Sequence, residues 1–551
     1  MAHKIELPRR TYVRTIYNFF PFPLSNSKKK FIGNWVLRGR KMESTNSFRL
    51  RKQALKPIET ARSSASQRDE EEVSKNNGQR TCEEEPLSPS SRLYHEPNFN
   101  VYVIAIMGCK TRIYPDVVKA NLGHTLLRHP RFSSLQVENN GEMRWVPTEV
   151  DLERHVIVPE LDQNMDSPDK FLEDYVYNLS KTTIDKSQPL WDLHLLNLRT
   201  SQSEAVGIFR IHHSLGDGTS LLSLLLACTR QMNDSKALPT IPIRKKKDKK
   251  SDRIGIWRIL LRFWFVLQVF WNTVVDVFMF IATALFLTDT QNPLKGLPGS
   301  ESTPRRIVYR TVSLDDIKFV KNAMNTTIND VAFGMTQAGL SRYINRICSE
   351  NKKDGGATET NNLPKSIRLR SNLLVNIRPA PGIQALADMM EKDAEVKWGN
   401  WIGYVLLPFT IAVREDPLDY VRNAKAIIDR KKRSLEAFCT FYIADWALNL
   451  FGIKAASALS HKVISRTTMC FSNMVGPVEE IGFCGHPMAF LAPSSYGQPY
   501  ALMINFQSYI DKMTIVLSVD EGTIPNPHQL CDDIVESLQI IKDAVMTRGL
   551  A

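Results

Sequence analysis

The sequence predicts a mixed α/β fold built in two halves. Three observations lead there. Strand-like apolar runs alternate with segments of helical periodicity from Pro86 to about Arg230. The same alternation resumes at about Arg306 and continues to the C-terminus. The stretch between them, 232–305, has a different character: one basic run and one long apolar segment. At 551 residues, 43% hydrophobic and 23% charged, the chain has room for two to four domains. That composition excludes a fully disordered chain, a collagen and a polytopic membrane protein.

Taken in order, residues 1–85 read as a poorly ordered tail of Ser, Lys, Arg, Asn and Glu, with acidic runs at Asp69–Glu72 and Glu83–Glu85. The first 65 residues are basic and nearly free of acid, as in an organelle transit peptide; an extended start, or initiation at Met42, is the other reading. Asn100–Gly108 (NVYVIAIMG) has the run of a strand. Asp166–Ser180 sets Phe171, Tyr175 and Leu179 on one helical face. Ala205–His213 (AVGIFRIHH) is a second strand, and Thr219–Cys228 a helix capped by Thr219 or Ser220. After the linker, a helix is expected over Ile328–Ile347 behind Thr326 and Thr327, then a buried strand at Leu373–Ile377. Ala501–Ser508 and Met513–Val519 pair as a hairpin around Asp511-Lys512. The last helix starts after Asn526-Pro527 and lines up Leu530, Ile534, Leu538 and Val545.

The net charge of +13 is unevenly spread. Residues 1–80 hold 18 basic and 7 acidic side chains, and 244–253 (RKKKDKKSDR) holds seven and two. The remainder is slightly acidic, whereas a nucleic-acid enzyme would carry basic charge on its folded body, so no nucleic-acid partner is expected. The eight cysteines, at 82, 109, 228, 348, 439, 470, 484 and 531, form no C-x-x-C pair and have no His cluster beside them. Neither a metal site nor a disulfide framework is expected. No secretory signal peptide is visible.

Chemistry concentrates in His212-His213-Ser214-Leu215-Gly216-Asp217-Gly218, where a strand ends and a helix begins. Neighbouring side chains on a strand face opposite ways, so the two histidines have different tasks. The glycines allow a tight loop and close approach by a substrate. Asp217 can fix that loop by pairing with an Arg or with backbone N–H groups. Three readings compete: a metal site, which would need a third ligand; a structural His pair; and a catalytic base, which the complete string in this setting favours.

This string, HHSLGDG, matches the HHxxxDG motif of the chloramphenicol-acetyltransferase-like CoA-dependent acyltransferases. Further segments resemble the plant-type bifunctional wax ester synthase/diacylglycerol acyltransferases within that superfamily. They are EEPLSPSSRLY at 84–94, Pro189-Leu190-Trp191 before Asp192, Asn329-Asp330 in TTINDVAFG, Asn376-Ile377-Arg378-Pro379, and Ser472-Asn473-Met474-Val475-Gly476-Pro477. The resemblance covers most of 86–551; residues 1–83 have no counterpart in it.

The resemblance implies two chloramphenicol-acetyltransferase-like domains, at 86–231 and 306–551, each a mixed sheet with helices, and an active-site channel between them. It makes His213 the general base that takes the proton of an acceptor hydroxyl as the oxygen attacks the acyl-CoA thioester. Transfer would be direct; no G-x-S-x-G elbow for an acyl-enzyme exists in the chain. Acyl-CoA is then a co-substrate and no cofactor is needed. The acceptor would be a long-chain alcohol, diacylglycerol or both. Asn329 becomes a candidate oxyanion donor, with helix capping as its alternative. His212, Asp217 and Gly218 are supporting, with Arg378 as a partner for Asp217. Trp191, Ser472, Asn473 and Gly476 are expected to shape the channel, although Trp191 also suits a core. A condensation domain of a peptide synthetase shares HHxxxDG but would require a carrier protein. A non-catalytic lipid-binding paralogue would have no chemical reason to keep His213, Asp217 and Gly218.

Phe263–Leu287 is 25 residues long, enough to span a bilayer. Its fifteen Leu, Ile, Val and Phe residues favour insertion by roughly −5 to −9 kcal/mol. Asp276 opposes by roughly 3 kcal/mol, and with Gln268 and Asn272 it forms a polar stripe along one side. His213 precedes this segment and Asn329 follows it, so a single full span would divide one active site across two compartments. A helix lying in the interface is therefore expected, its basic neighbour 244–253 attracted to an anionic lipid surface. A buried interdomain helix is the alternative. The cytosolic face of the endoplasmic reticulum is the expected location, with the plasma membrane as alternative.

Overall fold

The computed structural model describes residues 84–162, 165–242, 256–350, 361–377, 383–392, 398, 400 and 402–550. The expected tail up to residue 83, the run 244–253 and Arg378 lie outside them.

Two large mixed sheets carry the molecule. The seven-stranded sheet runs Val156–Ile157, Trp191–Leu196, Ala205–His212, Tyr102–Cys109, His486–Tyr496, Ile481–Phe483, Thr229–Gln231. The six-stranded sheet runs Ile402–Phe409, Leu369–Asn376, Met469–Met474, Leu502–Tyr509, Lys512–Val519, Arg306–Ser313. A small sheet of Glu85–Pro86, Glu142–Pro147 and Ser134–Asn139 flanks them. Ala205–His212 is buried at every position, which explains why its apolar residues do not alternate with polar ones; Arg210 and His212 are its only charged or polar side chains. It pairs antiparallel with Tyr102–Cys109, Tyr102 opposite His212 and Cys109 opposite Ala205.

The linker does not divide the two sheets. Strands 481–483 and 486–496, which lie in the C-terminal half of the sequence, join the first sheet, with Tyr496 opposite Tyr102. The same crossing strand is tied to the second sheet: Asn505 Nδ2 donates to Ser494 Oγ at 2.9 Å and Ser518 Oγ to the Ser495 carbonyl at 3.0 Å.

In the second sheet, Met469–Met474 runs parallel to both Leu369–Asn376 and Leu502–Tyr509. Asn376 and Met474 thus end neighbouring parallel strands, the position where α/β sheets present their ligand-facing loops. The helices Ile328–Glu350, Leu418–Lys431 and Pro527–Thr547 pack together beside this sheet. A Cβ on Gly339 would come within 2.7 Å of Ile534 Cα, so only glycine admits that helix crossing. Leu530, Ile534, Leu538 and Val545 are buried on one face, as their spacing predicts.

Several element ends differ from expectation. The strand stops at His212, and His213–Leu215 is a 3-10 turn, so His213 leaves the strand before the loop. The helix Gly218–Ala227 is capped by Asp217, whose Oδ1 accepts from Ser220 N–H at 2.9 Å, and not by Thr219 or Ser220. The hairpin turns on Ile510-Asp511, because Tyr509 is opposite Lys512.

The long apolar segment is a helix, Ile256–Leu285. Its polar stripe faces the protein. Asp276, 2% exposed, accepts from Arg430 Nη2 at 2.9 Å and Lys431 Nζ at 3.0 Å; Asn272 Nδ2 donates to the Arg433 carbonyl at 3.2 Å. The opposite face is open: Phe263, Phe270, Trp271, Phe278 and Leu285 are each more than 60% exposed. The neighbouring helix Glu436–Ser465, which the sequence reading did not anticipate, adds exposed Trp446, Leu450 and Phe451 just before its break at Gly452 (φ 77°).

Candidate active site

His213 sits at the end of the strand, 7% exposed, its ring stacked on Tyr94 with centroids 4.3 Å apart and planes 21° apart. Its backbone is pinned on both sides. The N–H donates to the Val101 carbonyl at 2.8 Å, and the carbonyl accepts from Asn400 Nδ2 at 2.9 Å. Trp398 Nε1 donates to the Leu215 carbonyl, so two residues of 398–400 hold the turn from outside. Nδ1 of His213 is buried and finds no partner in another described residue. Burial pushes its pKa down to about 4, which leaves the imidazole neutral and able to accept a proton at neutral pH.

His212 is engaged elsewhere. Its Nδ1 lies 2.7 Å from Ser214 Oγ and its Nε2 3.1 Å from Asn100 Oδ1. Ser214 Oγ passes the network on to Gln136 Oε1 at 2.9 Å, where His95 also bonds. Burial, then the neighbouring His95 and His213, hold the His212 pKa well below its usual value. With both nitrogens occupied, this ring braces the loop and has no free site for a substrate proton.

Asp217 is buried and double-tasked. One carboxylate oxygen caps the helix at Ser220; the other accepts from Asn376 Nδ2 at 3.0 Å. The partner seen is thus the asparagine of the Asn376–Pro379 segment, which reaches across from the second sheet. A Cβ on Gly218 would lie 3.6 Å from Met474 Sδ, so the loop also abuts the end of the Met469–Met474 strand. The candidate site therefore lies where the His212–Gly218 loop of the first sheet meets the carboxyl ends of two strands of the second.

Asn329 is exposed in the first turn of Ile328–Glu350, and Asn473 Nδ2 donates to its Oδ1. This pair stands one residue from Met474, on the second sheet's side of the meeting point. Its neighbour Asp330 is structural: Oδ2 accepts from Thr327 N–H at 2.8 Å and its own N–H donates to Thr327 Oγ1 at 3.3 Å, a reciprocal cap of the helix. Ser472 is half-buried on its strand, opposite Asn505. Gly476 makes a backbone contact no other residue could: a Cβ would sit 2.0 Å from the Ser508 carbonyl oxygen.

Trp191 takes the core position that is the other expectation for it. It is fully buried between Phe132, His155 and Phe209, and its Nε1 donates to the Phe132 carbonyl at 2.9 Å. It belongs to the core. Asp192 beside it forms a buried fork with Arg210, Nε to Oδ1 at 3.0 Å. Tyr94, Trp398 and Asn400 were missed as site residues. Tyr94 lay inside the quoted 84–94 segment without a role, and nothing in the spacing marked the other two.

Family models described as the wax ester synthase/diacylglycerol acyltransferase catalytic domain and the WS/DGAT C-terminal domain match residues 111–332 and 398–542. Wax ester synthase/diacylglycerol acyltransferase 11 of Arabidopsis thaliana is 49% identical over 482 residues, 86% of this chain and 98% of that protein. Wax ester synthase/diacylglycerol acyltransferase 6 of the same plant is 47% identical over 514 residues, 89% and 98%. Among solved structures, the wax ester synthase/diacylglycerol acyltransferase from Marinobacter aquaeolei VT8 aligns with a TM-score of 0.54 at 17% identity, covering 84% of this chain and 99% of that one. That likeness carries the fold, two mixed sheets in the chloramphenicol-acetyltransferase-like arrangement.

Proposed function

Because the chain belongs to the wax ester synthase/diacylglycerol acyltransferase family, we propose that it is an acyltransferase in which His213 moves a fatty acyl group directly from acyl-CoA to a long-chain alcohol or to diacylglycerol. The observation that supports this reading is a buried, neutral His213 whose backbone is pinned while its ring carries no structural bond through Nδ1.

In the proposed step, a neutral imidazole nitrogen accepts the acceptor's O–H proton as that oxygen bonds to the thioester carbonyl carbon. The C–S bond then breaks, and the imidazolium returns its proton to the departing CoA thiolate. Acyl group and proton both balance, with no acyl-enzyme. The carbonyl oxygen gains charge on the way and needs a donor. Asn329, whose oxygen is already engaged by Asn473, has its Nδ2 left for that role.

The open face of Ile256–Leu285 supports a monotopic seat on a membrane, with the polar stripe turned to the protein. The cytosolic surface of the endoplasmic reticulum is the proposed place, and the plasma membrane the alternative. There the enzyme would draw alcohol or diacylglycerol from the bilayer and acyl-CoA from water.

The test is an ester-formation assay with acyl-CoA and each acceptor in turn. Wild-type protein is expected to form product with at least one, and His213→Ala to lose it by at least about a hundredfold. Full activity in His213→Ala would overturn the mechanism. Lipid binding without turnover by the wild type would favour a non-catalytic paralogue.

A further inference from the structure

A cavity of about 620 Å³ opens where the apolar helix Ile256–Leu285 meets the end of Leu418–Lys431. None of its lining residues is among those placed around His213. One wall is aromatic: Trp264, Phe270 and Trp271, each at least 60% exposed. The other carries Arg430 and Arg433.

The charge there is not balanced. Arg430 is shared with the buried Asp276. Arg433 Nη1 donates at 3.2 Å to Gln268 Oε1, a neutral partner, and among the described residues no carboxylate pairs with it. Asp429, the acidic group in the wall, already has Lys425 at 2.8 Å and Lys432 at 3.7 Å. The cavity is therefore cationic at its protein side and apolar at its open side. Its open side continues into the exposed face of the helix.

That combination suits an amphiphile with an anionic head. A free ion would gain nothing from the indoles, and an alkane would waste the guanidinium. A guanidinium offers phosphate a forked pair of donors, and tryptophan prefers the headgroup level of a bilayer.

We propose that this cavity binds the anionic phosphate headgroup of a membrane phospholipid, with the acyl chains running along the exposed face of Ile256–Leu285. The assignment rests on the membrane reading above. It adds a specific lipid contact to what would otherwise be unselective insertion.

Full-length protein is titrated calorimetrically with dihexanoylphosphatidylglycerol below its micelle concentration, with the phosphatidylcholine analogue, and with inorganic phosphate. The same protein is sedimented with phosphatidylcholine vesicles, with and without one-fifth phosphatidylglycerol. The wild type is expected to bind the anionic short-chain lipid in preference to the other two probes. Arg433→Gln should weaken that binding about fivefold, the worth of one basic group at a lipid surface, while Arg433→Lys recovers part of it. Binding of the anionic lipid that is unchanged in Arg433→Gln would overturn the proposal, as would inorganic phosphate bound as tightly as lipid. If vesicles containing phosphatidylglycerol bind equally well to wild type and Arg433→Gln, the cavity assignment fails and the membrane reading stands. If only the soluble lipid binds, and depends on Arg433, the membrane reading fails and the cavity assignment stands.

Discussion

His213 is oriented through its backbone and by stacking. The Asn400 amide on its carbonyl, the Val101 carbonyl on its N–H and the Tyr94 ring on its face fix the imidazole without engaging Nδ1. Asn400 is then a positioning residue. Asn400→Ala strands the His213 carbonyl and removes about 1 kcal/mol of hydrogen bonding. Steady-state kinetics should show kcat reduced about fivefold with KM nearly unchanged; an unchanged kcat would remove Asn400 from this role. The low His213 pKa has its own signature. A group that protonates near 4 stays a base through neutral and weakly acidic pH. The rate of ester formation should therefore be flat between pH 8 and 6 and fall only as pH approaches the His213 pKa. A rate that halves near 6.5 would mean an imidazole exposed to water. His213 and Asp217 were legible in the sequence because one short string encodes strand end, tight turn and helix cap together. Asn400 was not, because it comes from 187 residues away in a segment with no pattern of its own.

At the scale of the element, the helix Ile256–Leu285 separates two kinds of stability. The i, i+4, i+8 spacing of Gln268, Asn272 and Asp276 already told that these side chains share a face. What that face would meet was not legible, since Arg430, Lys431 and Arg433 approach it only through tertiary packing. Asp276 accepts from both Arg430 and Lys431, and Lys431 goes on to Glu436 at 2.7 Å, whose other oxygen accepts from Leu406 N–H at 2.9 Å. The apolar helix is thereby anchored to an edge strand of the second sheet. Removing the Asp276 carboxylate leaves a buried ammonium short of a partner, at a cost of about 3 kcal/mol. Phe278, 65% exposed on the opposite face, touches none of this. Asp276→Leu should thus lower the melting temperature while vesicle binding by the folded fraction persists. Phe278→Asp should do the reverse, leaving melting unchanged and weakening vesicle sedimentation about tenfold or more. Equal vesicle binding by Phe278→Asp and wild type would refute the exposed face as the membrane contact.

Across the whole molecule, the sequence read as two halves in series, yet strands 481–483 and 486–496 return to the first sheet. No local pattern announces such a return: His486–Tyr496 looks like any buried strand, and only its partner, Tyr102–Cys109, makes it a crossing. The consequence is that the His212–Gly218 loop cannot loosen from one sheet without disturbing the other, because Asp217 is bonded to Asn376 and the crossing strand ties both cores. Histidines held neutral by partial or full burial, His155 and His486 among them, then shape how this joint body responds to acid. Burial lowers His95 and His213 to about 4, His129 to about 3, and His212 well below its usual range. Unfolded, each would bind a proton near 6.5. Between about pH 6.5 and 4 the unfolded chain thus holds more protons than the native one, and stability falls as pH falls. Glu436 works the other way: burial raises it to about 7, so the native state keeps a proton that the unfolded chain has released above about 4.5. The histidines outnumber Glu436, so near pH 5 the unfolded chain holds the net excess of protons. Thermal melts from pH 8 to 5 should accordingly show a steep loss below 6.5. His129→Gln should flatten that slope, because one of the contributing groups no longer titrates. A melting temperature level from pH 7 to 5 would mean that these rings do not stay buried and neutral in solution.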